Sequence, residues 1–140
     1  MFIDASAIVA ILGREPGHEE LEKRLTDVAS PLLVSPLAKF EAVFGLARQK
    51  AVTAKPSPEL VRLAQQAVDL FVEDLAAREI TISAEIGRAA VEAAATYGKA
   101  VGHKADLNFG DCFAYACART AAVPLLYKGN DFIHTDIDQG

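Results

Sequence analysis

A chain of 140 residues with 51% hydrophobic side chains has the length of one ordinary domain and enough apolar material for a packed core. No apolar run reaches the roughly 18 to 20 residues of a membrane span, and a formal net charge of −5 excludes a surface that grips nucleic acid by charge alone. The apolar N-terminal stretch carries Asp4 and no basic leader, so a cytoplasmic protein is expected, neither exported nor membrane-bound.

In chain order, Met1 to Asp4 reads as a short strand and about Ser6 to Leu12 as a helix. Arg14 to Gly17 is turn-like, and His18 to Val28 is a charged amphipathic helix. Pro31 to Val34 reads as a second strand. Ser35-Pro36 then gives an N-cap with proline at the first helical position, opening a helix to about Ala51, and Ser57-Pro58 repeats the device for a helix to about Ala77. Ile80 to Ile82 is expected as a third strand, and Ser83 caps a helix to about Tyr97. After the polar loop Gly98 to Leu107 comes LNFGDCFAYACA, whose segment Cys112 to Ala118 is apolar on every side and belongs inside a domain. Val123 to Tyr127 reads as a fourth strand, with a short fifth around Thr135 to Ile137. Strands alternating with helices predict an α/β fold in one domain over 1–140, a parallel sheet of four to five strands with helices on both faces. Cys112 and Cys117, five apart in the apolar helix, suit neither a disulfide nor a CxxC metal site and read as core thiols.

Ligands of such sheets bind beyond the carboxyl ends of the strands, which singles out four acids. Asp4 ends the first strand, and Asp131 follows the fourth after a turn. Glu41 borders the apolar stripe Leu37, Phe40, Phe44 and Ala47 of the helix after the second strand, and Asp111 opens the buried helix. Each has an ordinary reading: Asp4 as a helix cap, Asp111 as the acid of a capping box begun by Asn108, Asp131 as a turn residue, Glu41 as a flank residue whose stem covers apolar surface. Taken jointly they read differently, because gathered like charges cost free energy unless a cation sits among them. Carboxylates without histidine or thiolate partners select Mg²⁺ or Mn²⁺ over zinc, and His18, His103 and His134 read as surface residues. Walker A, GxSxG and GxGxxG motifs are absent, which leaves metal-assisted chemistry on phosphates.

Four stretches carry a resemblance: FIDASAIVAIL, SPLAKFEAVFGLAR around Glu41, LNFGDCFAYACA, and VPLLYKGNDFIHTDI. In this order they resemble the acidic motifs of PIN-domain proteins, specifically the VapC toxins of bacterial toxin-antitoxin pairs. The resemblance implies a PIN fold, Mg²⁺- or Mn²⁺-dependent endoribonuclease activity, a homodimer, and inhibition by a cognate VapB antitoxin, with DNA reached only through that antitoxin. The implied site acids are Asp4, Glu41, Asp111 and Asp131, with Asp136 as the alternative fourth, and Ser6 stands where the family places a supporting Ser or Thr. The helix dipole is expected to help keep Asp111 ionised. Lys99, Lys104 and Lys128 lie in loops where they could meet RNA phosphates. The apolar side chains between Ser35 and Ala77 exceed what two helices need to cover a small sheet, which predicts an interface there. A catalytically silent PIN-like binding module is the alternative; a phosphatase of the HAD kind is disfavoured because Asp4-Ala5-Ser6 lacks the second acid of DxD.

Overall fold

A computed structural model describes residues 1–52 and 55–140. In chain order it has β1 (Phe2–Ile3), α1 (Ala5–Gly13), α2 (His18–Asp27), β2 (Leu33–Val34), α3 (Pro36–Lys50), α4 (Pro58–Asp74), β3 (Arg78–Glu79), α5 (Ala84–Tyr97), α6 (Phe109–Thr120) and β4 (Leu125–Leu126). The strands pair in the order β3-β2-β1-β4, all parallel, with Phe2 opposite both Leu33 and Leu125. Phe2 and Ile3 face opposite sides of the sheet and both are fully buried, so helices cover both faces, as parallel sheets require. No helix among the described residues is long and apolar enough to cross a membrane.

Local chemistry sets the helix starts where the sequence predicts them. The hydroxyls of Ser35, Ser57 and Ser83 accept hydrogen bonds from the backbone N–H groups of Ala38, Leu60 and Ile86, and Pro36 and Pro58 occupy first-turn positions. Asn108 caps α6, whose Cys112, Ala114, Ala116, Cys117 and Ala118 are buried; both cysteines are free core thiols.

Three expectations are corrected. The third strand is Arg78–Glu79 and not Ile80–Ile82: α4 stops at Asp74, Ala76 turns the chain through a left-handed conformation (φ 49°), and pairing with Leu33 begins at once. Ile80 only extends the pairing by donating to the Val34 carbonyl at 2.8 Å. No fifth strand forms among the described residues. Turns closed by Ile133 N–H to Asn130 O and Thr135 N–H to Phe132 O occupy the region, and a single bridge joins Leu125 to Gln139. The buried stripe of α3 is Ala38, Ala42, Leu46 and Ala47, while Phe40 is 60% exposed. Helix α1 packs against α3 so closely that a Cβ on Gly45 would meet Val9 at 2.8 Å; small residues, not aromatics, fit that contact.

The expected interface region divides in two. Val68 is core, and Leu46, Ala47 and Ala64 form a second small cluster with Val43 and Leu60 that joins α3 to α4. Phe40, Leu63 and Leu70 remain exposed, and Thr53 and Ala54 lie outside the described residues. Lys39 ties this region to the sheet edge through Asp69 (2.8 Å) and Glu79 (3.0 Å).

Candidate active site

Asp4 sits where β1 stops and α1 starts. Its Oδ2 accepts the Ser6 backbone N–H at 2.9 Å and the Ser6 hydroxyl, so it is the cap of α1, and it is only 5% exposed. The Ser6 Oγ in turn accepts the Lys128 backbone N–H at 3.0 Å. One hydroxyl therefore ties the end of β1 to the segment after β4, which carries Asp131 in an exposed turn.

Glu41 lies in the second turn of α3, beside the Ala38–Ala42 stripe. Its carboxyl group rests against Gly110 in the first turn of α6. Asp111 follows one residue later and closes a reciprocal cap: Asn108 Oδ1 accepts from Asp111 N at 3.1 Å, and Asp111 Oδ2 accepts from Asn108 N at 2.9 Å. The capping readings of Asp4 and Asp111 are thus correct as structure, and the same caps fix where both carboxylates stand.

Electrostatics connects the four acids. Burial raises the Asp4 carboxyl above its ordinary value, its Ser6 hydrogen bonds oppose that, and Asp131 adds repulsion. Burial together with repulsion from Asp4 and Asp111 pushes Glu41 up to about 7, against a weaker pull from Arg48. Asp111 is pushed up to about 6, first by burial, opposed by the Asn108 N–H, then by Asp4, Asp131 and Asp106. Burial and the neighbouring carboxylates thus act against the ionised form that the α6 dipole was expected to favour, and raise Asp111 to about 6.

Asp136 points elsewhere. Tyr115 donates its hydroxyl to Asp136 Oδ1 at 2.5 Å and Arg119 stands 3.7 Å from Oδ2, and these contacts, the Tyr115 bond first, lower its carboxyl below the usual range. Lys128 is held structurally, its Nζ donating to the Pro16 carbonyl at 2.6 Å, while Lys99 faces Asp106 at 3.7 Å and Lys104 is exposed. His134 is at the surface, but His18 and His103 are partly buried in local turns: His18 Nδ1 contacts the Glu15 carbonyl, and Ala105 N donates to His103 Nδ1. The sequence reading missed Gly110; its only local signal is a glycine where a helix would favour alanine.

The donor set fits a hard divalent cation. It is all oxygen, and three members are held above their ordinary protonation range by burial and mutual repulsion, the condition a bound cation relieves. Among the described residues no three acidic, histidine or cysteine side chains stand close enough together to hold a metal ion as they are placed.

Comparison with known proteins gives the chain relatives. The family model described as "PIN domain" matches residues 1–138. The chain is 50% identical over 139 residues to a VapC ribonuclease of Rhizobium meliloti (strain 1021), covering 97% of this chain and 98% of the relative. It is 38% identical over 144 residues to Ribonuclease VapC30 of Mycobacterium tuberculosis (98% and 95% covered) and 35% identical over 137 residues to Ribonuclease VapC42 of the same species (98% and 96% covered).

Proposed function

The chain belongs to the VapC-type PIN-domain family, and from that premise we propose that it is a metal-dependent endoribonuclease toxin, one cytoplasmic PIN domain over residues 1–140 that hydrolyses RNA at Asp4, Glu41, Asp111 and Asp131. The observation that carries the reading is that burial, and then repulsion from neighbouring acids, raises Asp4, Glu41 and Asp111 together, with Asp131 among the charges that repel Asp4 and Asp111. Mg²⁺ or Mn²⁺ bound there would supply a nucleophilic water near neutral pH and stabilise charge on the leaving oxygen.

The chain's own residues do the positioning. Asp4 is locked by α1 and Ser6 and Asp111 by its reciprocal cap with Asn108, while the Glu41 carboxyl group lies against Gly110 of α6 at the end of a flexible side chain. Two acids thus come from hydrogen-bonded element ends, which keeps them in place without an ion. Asp131, on a turn, is a further adjustable member. Its field acts on Asp4 and Asp111, and Asp136, engaged by Tyr115 and Arg119, is not its substitute.

Purified protein should cleave single-stranded or looped RNA in Mg²⁺ or Mn²⁺, stop on addition of EDTA, and resume when the ion is restored in excess. Cleavage that persists in EDTA, in a preparation free of other nucleases, contradicts the metal requirement.

Partners follow the same premise: a VapB-type antitoxin, DNA only through that antitoxin, and a second copy of the chain. The exposed Phe40 on α3, beside Val61 and Asp69, and the exposed Leu63 and Leu70 on another face of α4 support interfaces in this region. Light scattering at micromolar concentration should give twice the 14.9 kDa chain mass. Phe40→Ser with Leu63→Ser should shift that mass towards the monomer. A wild type that is monomeric, with no co-purifying partner, contradicts the interface.

A further inference from the structure

Gly110 occupies the second position of α6, where glycine has no local justification. Its φ is not positive, and the hydrogen bond it makes, N–H to Asn108 Oδ1 at 2.8 Å, would serve any residue but proline. Glycine is also the weakest helix former after proline. Its reason is space: a Cβ built there would run into all three atoms of the Glu41 carboxyl group, Cδ, Oε1 and Oε2. Among the other helical glycines only Gly13, at the end of α1, is alike, its added Cβ meeting the side-chain amide of Gln49, which is not one of the four acids. Gly87 in α5 has nothing within 4 Å of such a Cβ, and Gly45 in α3 would meet a methyl group of Val9 at 2.8 Å, a close helix–helix contact away from the four acids.

We infer that Gly110 is a positioning residue for Glu41: by lacking a side chain it lets the carboxylate lie against the first turn of α6, beside Asp111, and a methyl group there would displace it. The displaced group is the far end of a flexible side chain, so it can swing aside at little cost to folding. The consequence falls on the site. Glu41 would leave the position in which it shares a cation with Asp4 and Asp111, while the cap that holds Asp111 stays intact.

The inference rests on the metal site proposed above, and a calorimetric cycle with Mn²⁺ separates the two. Wild type should bind Mn²⁺; Gly110→Ala should bind it about tenfold or more weakly, the scale on which groups that orient metal ligands act. In a Glu41→Asp background the carboxylate is one methylene shorter and clear of the new methyl group, so adding Gly110→Ala should change affinity by less than about twofold. An affinity for Gly110→Ala equal to wild type, or an equal loss in both backgrounds, overturns the inference and leaves the metal site standing. A wild type that binds no Mn²⁺ overturns both. Should Gly110→Ala fail to melt cooperatively, Glu41→Ala is added: recovery of folding supports the collision with Glu41, and continued unfolding overturns it.

Discussion

Asp4→Asn is expected to reduce kcat/KM for RNA cleavage by about 10³-fold or more, while leaving the protein at least as stable as wild type. The activity loss follows from removing the most deeply buried of the four charges, worth several kcal/mol if a cation depends on it. The retained fold follows from the dual role of Asp4. Asparagine caps helices about as well as aspartate, so its side-chain oxygen can still accept the Ser6 N–H that starts α1. A neutral amide also removes the desolvation and Asp131 repulsion that the carboxylate bears at neutral pH. Cleavage assays and urea melts on the same preparation check both halves. Near-wild-type cleavage would remove Asp4 from the chemistry, and a loss of activity matched by a loss of folding would reduce it to a cap.

Metal-free protein is expected to lose stability as pH rises from about 4.5 to above 7. Burial and neighbouring acids push Glu41 up to about 7 and Asp111 up to about 6, above their ordinary values of 4.5 and 3.8. For acids shifted upward the protonated form favours the fold, so the stabilisation is complete below the unfolded-state values and is lost as pH rises through the folded ones. Asp4 is raised as well and acts in the same direction. Asp136 is lowered and acts oppositely, but only at pH near or below the ordinary aspartate value. Glu41 and Asp111 are partly exposed, so after discounting for solvent screening the loss is about 1 kcal/mol, or roughly 2–5 °C in Tm. Urea melts in EDTA across pH 4.5 to 8 measure it. A stability that is flat or rising over that range would contradict the crowding of these acids.

What the sequence made legible is what short-range chemistry decides. Ser35-Pro36 and Ser57-Pro58 specify helix starts within four residues, and they hold. The four acids could be singled out because strand-end placement and motif order are properties of the chain, not of its packing. β3 was misplaced because a two-residue edge strand of exposed Arg78 and Glu79 carries neither an apolar run nor an alternation. The face of α3 was misread because the closeness of α1, a tertiary fact, selects alanine and glycine where pattern reasoning looks for large apolar side chains. The protonation of Asp111 depends on Asp4 and Asp131, which are remote in sequence, and so does the meaning of Gly110, whose neighbour Glu41 lies on another helix.

The central claim is that Asp4, Glu41, Asp111 and Asp131 hold one shared divalent site. Thermal melts of wild type and Asp111→Asn at pH 7.5, with EDTA and with excess Mn²⁺, test it most directly, because a cation bound only by the folded state raises Tm by mass action. The metal-free variant should be as stable as wild type or more so, since one repelling charge is gone and the amide oxygen can keep the bond from Asn108 N. The rise in Tm with Mn²⁺ should be clear in wild type and much reduced in the variant. An equal response of the two proteins to Mn²⁺, or no response in either, would contradict the shared site.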